Sequence, residues 1–251
     1  MYYYHMNTES FPPKNKLIDK LSLIKSISII LENQKKIFDL INDEKDKLKK
    51  IITLAFEKLK KSKNGRIIYV GAGTSARISV QDGSELNPTF NWPHSRIEYV
   101  IAGGLEALVK AQEGAEDNIK EANLSIKNLK VNENDVLIAT SASGQTPFTI
   151  EAIKEASKCN ALTVAIVNNK NTELEKYAKI SLVIETGYEL VAGSTRLKAG
   201  TAQKICLNLI STLLMTKFGK VKNGLMIDLK PTNKKLLKRQ KLIKKHKNSQ
   251  I

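Results

Sequence analysis

Two short segments of this sequence concentrate residue types that hold anions, and two others carry acids in shaped loops. Ser141-Ala142-Ser143-Gly144-Gln145-Thr146 interleaves three hydroxyls with a glycine. A helix cap needs only one such side chain, so several together suit the phosphate of a small ligand. Gly71-Ala72-Gly73-Thr74-Ser75-Ala76 is a second small, hydroxyl-bearing stretch. Both can offer hydroxyls and free backbone N–H groups at a helix start, which makes an anion cradle. A lone catalytic serine does not fit, because the sequence places none of His5, His94 and His246 to activate it. Acid–base work then falls to carboxylates. The candidates are Glu85, in Asp82-Gly83-Ser84-Glu85-Leu86-Asn87-Pro88, and Glu113 and Glu116, in Glu113-Gly114-Ala115-Glu116-Asp117. Most glutamates are solvated surface, but Gly, Ser, Asn and Pro around these acids mark turns with defined shape.

The elements that must position these residues follow from hydrophobic periodicity. Short apolar runs at 67–70, 97–101, 135–139, 162–167 and 181–184 read as strands. Helical patterns lie between them at 75–86, 105–112, 117–129, 147–158 and 173–178. Strands alternating with helices predict a three-layer α/β fold around a doubly wound parallel sheet. Ligands of such sheets bind beyond the carboxyl ends of the strands. The two hydroxyl-rich loops follow the first and third strands, and Glu113 and Glu116 lie beyond the second. Residues 1–13 read as a loose arm and 14–63 as N-terminal helices, with Leu48, Ile51, Ile52, Ala55 and Leu59 forming an amphipathic stripe. The α/β domain is expected over 64–233. Its last long helix, 195–218, is apolar around its circumference and so is expected to be buried in the core or at a subunit contact. A Lys-rich tail occupies 234–251.

Composition narrows the function classes. With 41% apolar residues the chain can build a full core. No apolar run approaches the ~18 residues of a membrane span, and the N-terminus lacks the layout of a signal peptide. Cys159 and Cys206 are the two cysteines, so a disulfide framework is not expected and a reducing cytoplasm is. Three histidines and two scattered cysteines have no zinc-ligand spacing. The net charge of +16 invites a nucleic-acid reading. However, the lysines lie on helical patterns whose other face is apolar, aromatics are few, and no reader motif is present, so a solvated lysine face is expected. The Gly71 loop also matches G-x-G-x-x-A, a dinucleotide fingerprint. That reading needs an acid closing the second strand, where Ile101-Ala102-Gly103-Gly104 stands instead and Glu98 lies at the strand's start.

GAGTSARISVQDGSELNPTF, IAGG, EGAED, SASGQTP, GSTRLKAGTAQK and GKVKNGLMIDLKPTN occur in order between Gly65 and Asn233. In these segments the chain resembles the N-acetylmuramic acid 6-phosphate etherases. That family has the sugar isomerase (SIS) fold and is related to the glucokinase regulatory protein. The resemblance implies cleavage of the D-lactyl ether of N-acetylmuramate 6-phosphate to N-acetylglucosamine 6-phosphate and D-lactate, in cell-wall amino sugar recycling. It implies elimination followed by hydration, and no cofactor or metal. By position, Glu116 matches the base that takes the C2 proton and Glu85 the donor to the departing oxygen, which leaves Glu113 structural. The two roles need opposite protonation states at one pH, and Glu85 is expected to be the more desolvated.

The resemblance also implies that Ser141, Ser143, Gly144, Gln145 and Thr146 hold the phosphate. Thr74 and Ser75 would contact the sugar or share the phosphate, and Ser194 and Lys198 are further binding candidates. Arg196 and Lys198 could attract the lactyl carboxylate or simply pair with acids near the long helix. A homodimer with the pocket at its interface is expected, and neither nucleic acid nor membrane is an expected partner. Departures from the family pattern are Ala76 and Ser79 for glycine, Gln145 for arginine and Ser141 for alanine. The family's small C-terminal helical domain is expected to be absent. Rival readings are a non-catalytic sugar-phosphate sensor, which would need neither acid, a phosphosugar isomerase, which would not need the 193–204 block, and nucleic-acid binding through the tail.

Overall fold

Five apolar runs form one parallel sheet: β1 (Ile67–Gly71), β2 (Ile97–Ile101), β3 (Val136–Ser141), β4 (Leu162–Val167) and β5 (Ile180–Val183), in the order β2-β1-β3-β4-β5. The computed structural model describes residues 7–229 together with 234, 236–238 and 241. Every residue of β1, β3 and β4 is buried, as a parallel sheet covered on both faces requires. Alternation divides their side chains between two cores. Ile67, Tyr69, Val136, Ile138, Val164 and Ile166 enter one, and Ile68, Val70, Leu137, Ala139, Ala165 and Val167 the other.

The helices are α1 (Leu23–Asp43), α2 (Lys45–Lys61), α3 (Gly73–Ser84), α4 (Leu86–Phe90), α5 (Ile119–Asn128), α6 (Pro147–Lys158), α7 (Glu173–Tyr177) and α8 (Lys198–Lys217). α2 and α8 join the first core and α5, α6 and α7 the second. The α2 stripe Leu48, Ile51, Ile52, Ala55 and Leu59 is buried as its spacing predicts, and each large side chain contributes about 1.5–3 kcal/mol. α1 differs. It buries Ile37 and Ile41 but leaves Leu23, Ile24, Leu31 and Phe38 60–78% exposed. After α8, Asn223 and Gly224 take positive φ and turn β6 (Val221–Lys222) back on β7 (Leu225–Met226), a hairpin geometry that Asn-Gly favours. Among the described residues no helix is long and apolar enough to cross a membrane.

Three expectations are corrected and a fourth is met only in part. Residues 105–112 form only a 3-10 turn at Leu105–Leu108, because Gly103 and Gly104 at φ +77° and +69° bend the chain sharply after β2. The helix expected over 75–86 begins at Gly73 and breaks at Glu85. Pro88 explains the break, since in a continuous helix its ring would strike the carbonyl of Ser84. α8 is buried along one side within the chain, while Thr201, Asn208, Thr212 and Leu213 are exposed along its length, so the core alone does not cover it. The arm expected to be loose is docked where it is described: Asn7–Glu9 form a 3-10 turn with Thr8 fully buried. Residues 1–6 of that arm, and most of the Lys-rich tail, lie outside the described residues.

Candidate active site

The chain runs from β1 outward to β2, then crosses back over β1 to β3 on its other side and continues to β4 and β5. The carboxyl ends of β1 and β3 therefore flank the crevice where the strand order reverses, the usual ligand position in such sheets. A cavity of about 420 Å³ opens there, lined by residues of both hydroxyl-rich loops.

The loop after β3 converges on itself. The Ser141 hydroxyl lies 3.1 Å from that of Thr146 and 3.4 Å from that of Ser143, and it accepts the Gly144 N–H at 3.1 Å. The Ser143 hydroxyl accepts the Gln145 N–H at 3.1 Å. Thr146 is the N-cap of α6 but makes no side-chain capping bond, and Pro147 follows. The hydroxyl thus stays available, and the positive end of α6 faces the crevice. Ser141, Ser143, Gln145 and Thr146 line the cavity. Gly144 is buried beneath at φ +65°, where a Cβ would come within 2.5 Å of Thr172.

The loop after β1 supplies the facing wall, with Thr74 and Ser75 in the first turn of α3. Gly73 has φ +52°, and a Cβ there would lie 3.2 Å from Glu116 Oε1. The absent side chain is what lets that carboxylate approach the helix end. Ala76 and Ser79, the bulkier departures from the family pattern, are both buried. The Ser79 hydroxyl donates to the Ser75 carbonyl at 2.8 Å.

Glu116 sits on the 3-10 turn Ala115–Asp117 and lines the cavity. Glu113 does not line it. Glu85 caps the opposite end of α3 and is exposed, about 18 Å along the helix from Gly73 at 1.5 Å per residue. Within one chain the two glutamates do not meet, and both are exposed, so the chain alone does not make Glu85 the more desolvated of the two. Ser194 and Lys198 are not in the lining either. Lys198 is buried, its Nζ donates to the Tyr188 carbonyl at 3.0 Å, and burial holds its amine below the usual lysine range. Arg196 is outside the lining too, while its neighbour Thr195 reaches it.

Among the lining residues not singled out from sequence are Arg77, Gln112 and Glu9. Arg77 directly follows the first loop, one helical turn after Gly73, and, among the described residues, is the only basic side chain lining the cavity. Its Nε and Nη2 donate to the carbonyls of Leu108 and Ala107 at 3.0 and 2.9 Å. Its position just beyond the glycine loop was a usable signal. Gln112 directly precedes the Glu113–Asp117 segment and shared its signal, whereas Glu9 had none, since only tertiary folding brings it here. Behind the wall, the buried Asp82 carboxylate accepts bonds from Tyr69, Asn208 and Ser211 at 3.0, 2.7 and 3.1 Å. These pin the Glu85 end of α3 to β1 and α8. Burial raises the Asp82 carboxyl above its usual range, opposed by those hydrogen bonds.

Comparison with known proteins agrees with this architecture. Residues 49–157 match the family described as glucokinase regulatory protein N-terminal SIS domain, and residues 121–213 match the SIS domain. A phosphoheptose isomerase structure from Francisella tularensis superposes with a TM-score of 0.59 at 14% identity, over 78% of this chain and all of that one, which shows the shared fold. An N-acetylmuramic acid 6-phosphate etherase from Clostridium beijerinckii is 42% identical over 237 residues, 94% of this chain and 77% of that protein. One from Oceanobacillus iheyensis is 53% identical over 180 residues, 72% of this chain and 61% of that protein. An SIS fold, a hydroxyl-lined crevice at its switch point and this level of identity over nearly the whole chain place the protein in the N-acetylmuramic acid 6-phosphate etherase family.

Proposed function

We propose that the crevice at the ends of β1 and β3 cleaves the D-lactyl ether of N-acetylmuramate 6-phosphate, the reaction that family membership implies, in cell-wall amino sugar recycling. The observation that carries this reading is the meeting, in one cavity, of the convergent Ser141, Ser143 and Thr146 hydroxyls with the Glu116 carboxylate. The hydroxyls and the start of α6 take the phosphate, with Gly144 holding the loop and Gln145, Thr74 and Ser75 contacting the ligand. Glu116 takes the C2 proton, made acidic by the open-chain aldehyde. The C3–O bond breaks as the C2–C3 double bond forms, and a proton passes to the lactate oxygen. Water then adds at C3 and C2 is reprotonated. No bound metal or cofactor enters these steps.

The proton donor in this reading is Glu85 of a second copy of the chain. Two features support a homodimer: Glu85 is exposed and outside its own cavity, and α1 presents an uncovered apolar face. A second copy would also desolvate Glu85, which the chain alone does not. Both cysteines are free thiols, which suits a reducing cytoplasm.

Incubation with N-acetylmuramate 6-phosphate in deuterated water tests the reaction. The expected result is D-lactate together with deuterium at C2 of the product. Tight binding without lactate would favour a sugar-phosphate sensor instead. Mixing Glu85→Gln with Glu116→Gln protein tests the shared site. Free exchange of subunits makes half of the dimers mixed, each with one intact site, so activity should return to about a quarter of the native level. No recovery in a verified mixed dimer would remove the shared-site reading.

A further inference from the structure

We propose that Glu9 is a substrate-binding residue, accepting hydrogen bonds from the neutral donors of the sugar, its hydroxyls and acetamido N–H, and that Thr8 and Asn169 position it. This deepens the phosphosugar reading of the cavity and rests on it. Glu9 lines the cavity although it lies far from the other lining residues in sequence. Its placement is built. Thr8 is fully buried, and its N–H donates to Asn169 Oδ1 at 3.2 Å. Asn169 Nδ2 donates in turn to the Thr8 hydroxyl at 2.8 Å and to the Ala142 carbonyl at 2.9 Å. Asn169 is itself buried, so one satisfied amide ties the N-terminal turn to the phosphate loop.

The next residue along, Glu9, is only half-buried and points toward the 193–195 loop. Its Oε2 lies 3.4 Å from where a Gly193 Cβ would be, beside the cavity-lining Thr195. Among the described residues its carboxylate accepts no hydrogen bond and joins no ion pair. A carboxylate in that state repels phosphate and attracts hydroxyl and amide hydrogens. It would orient a sugar with its anionic end at Ser141 and its donor face at Glu9.

Calorimetric binding of N-acetylglucosamine 6-phosphate and of inorganic phosphate, with etherase kinetics, tests this on native protein, Glu9→Gln and Thr8→Val. Glu9→Gln is expected to weaken the sugar phosphate and raise KM roughly 10- to 100-fold, the scale of a charged hydrogen bond. Phosphate binding should hold within about twofold and kcat should fall less than KM rises. Thr8→Val should move KM in the same direction by a smaller factor, with the melting temperature recorded to separate unfolding from mispositioning. Unchanged sugar-phosphate affinity and KM in Glu9→Gln would overturn the proposal while leaving the pocket intact. If native protein binds phosphate but not the sugar phosphate, the phosphosugar reading itself fails, and the role of Glu9 with it.

Discussion

The two ends of the parallel sheet are built on opposite principles. At the amino end, Asp135 is fully buried and saturated. It pairs with Arg66 Nη2 at 2.7 Å, accepts from Arg66 Nε at 3.1 Å, and accepts the backbone N–H groups of Arg66 and Asn132 at 3.0 and 3.1 Å. Arg66 Nη1 in turn reaches the Leu129 carbonyl at 2.9 Å. Nothing is left over for a ligand, and the network locks β1 to β3. At the carboxyl end, hydroxyls cluster with spare lone pairs, the Thr146 hydroxyl makes no cap bond, and Gly73 and Gly144 sit at positive φ. Satisfied polar groups specify a fold, whereas under-committed ones beside a cavity bind something else.

Substitutions at each end should separate these roles. The largest effect is expected for Glu116→Gln: kcat for lactate release should fall about 10²–10⁴-fold, the usual worth of a proton-transfer group, while the melting temperature is unchanged. Asp135→Ala should do the reverse. It leaves Arg66 without its partner and should lower unfolding free energy by about 3–5 kcal/mol in a urea titration, with activity per folded molecule retained. If instead Asp135→Ala were selectively inactive and stable, the division between the ends would not hold.

Smaller effects test finer points. Gly144→Ala forces a side chain into positive φ against Thr172 and should cost about 1–3 kcal/mol of stability, together with weaker phosphate binding. Ser141→Ala removes the hydroxyl on which Ser143, Gly144 and Thr146 converge. It should raise KM roughly tenfold, within the range for a hydrogen bond to a charged group. Asp82 should give the smallest signal. Its carboxyl holds the proton more tightly folded than unfolded, so its contribution to stability is full at acid pH and declines as pH rises through its raised value. Asp82→Asn should flatten that part of the stability–pH curve measured in urea at successive pH values. An unchanged slope would show that its hydrogen bonds outweigh burial.

Much of the sheet was legible because a parallel strand covered on both faces needs an unbroken apolar run, and such runs are short and bounded here by Gly, Asn and Asp. β2 and β4 fall at the expected residues, and β1, β3 and β5 shift by one or two at their ends. The hydroxyl-rich loop after β3 was legible as part of the crevice for a related reason: β3 carries it directly into α6, so sequence adjacency and spatial adjacency coincide. Glu116 could be proposed because its turn follows β2 closely enough to reach the same end of the sheet. The errors share a cause. Residues 105–112 have helical periodicity but too short a stretch after two positive-φ glycines, and the 75–86 helix was broken by a proline two residues past the expected end.

By itself the sequence determined the layer architecture, the two hydroxyl-rich loops and the acids worth testing, since each depends on local pattern or on residues a few positions apart. Only the tertiary structure decided which of them share a cavity. It brought Glu9 across the chain to the crevice through Thr8 and Asn169, directed Lys198 into the interior, and left Glu85 at the far end of a rigid helix. Such outcomes turn on packing between elements distant in sequence, where a hydrogen bond's partner is chosen by the fold and leaves no periodic trace in the chain.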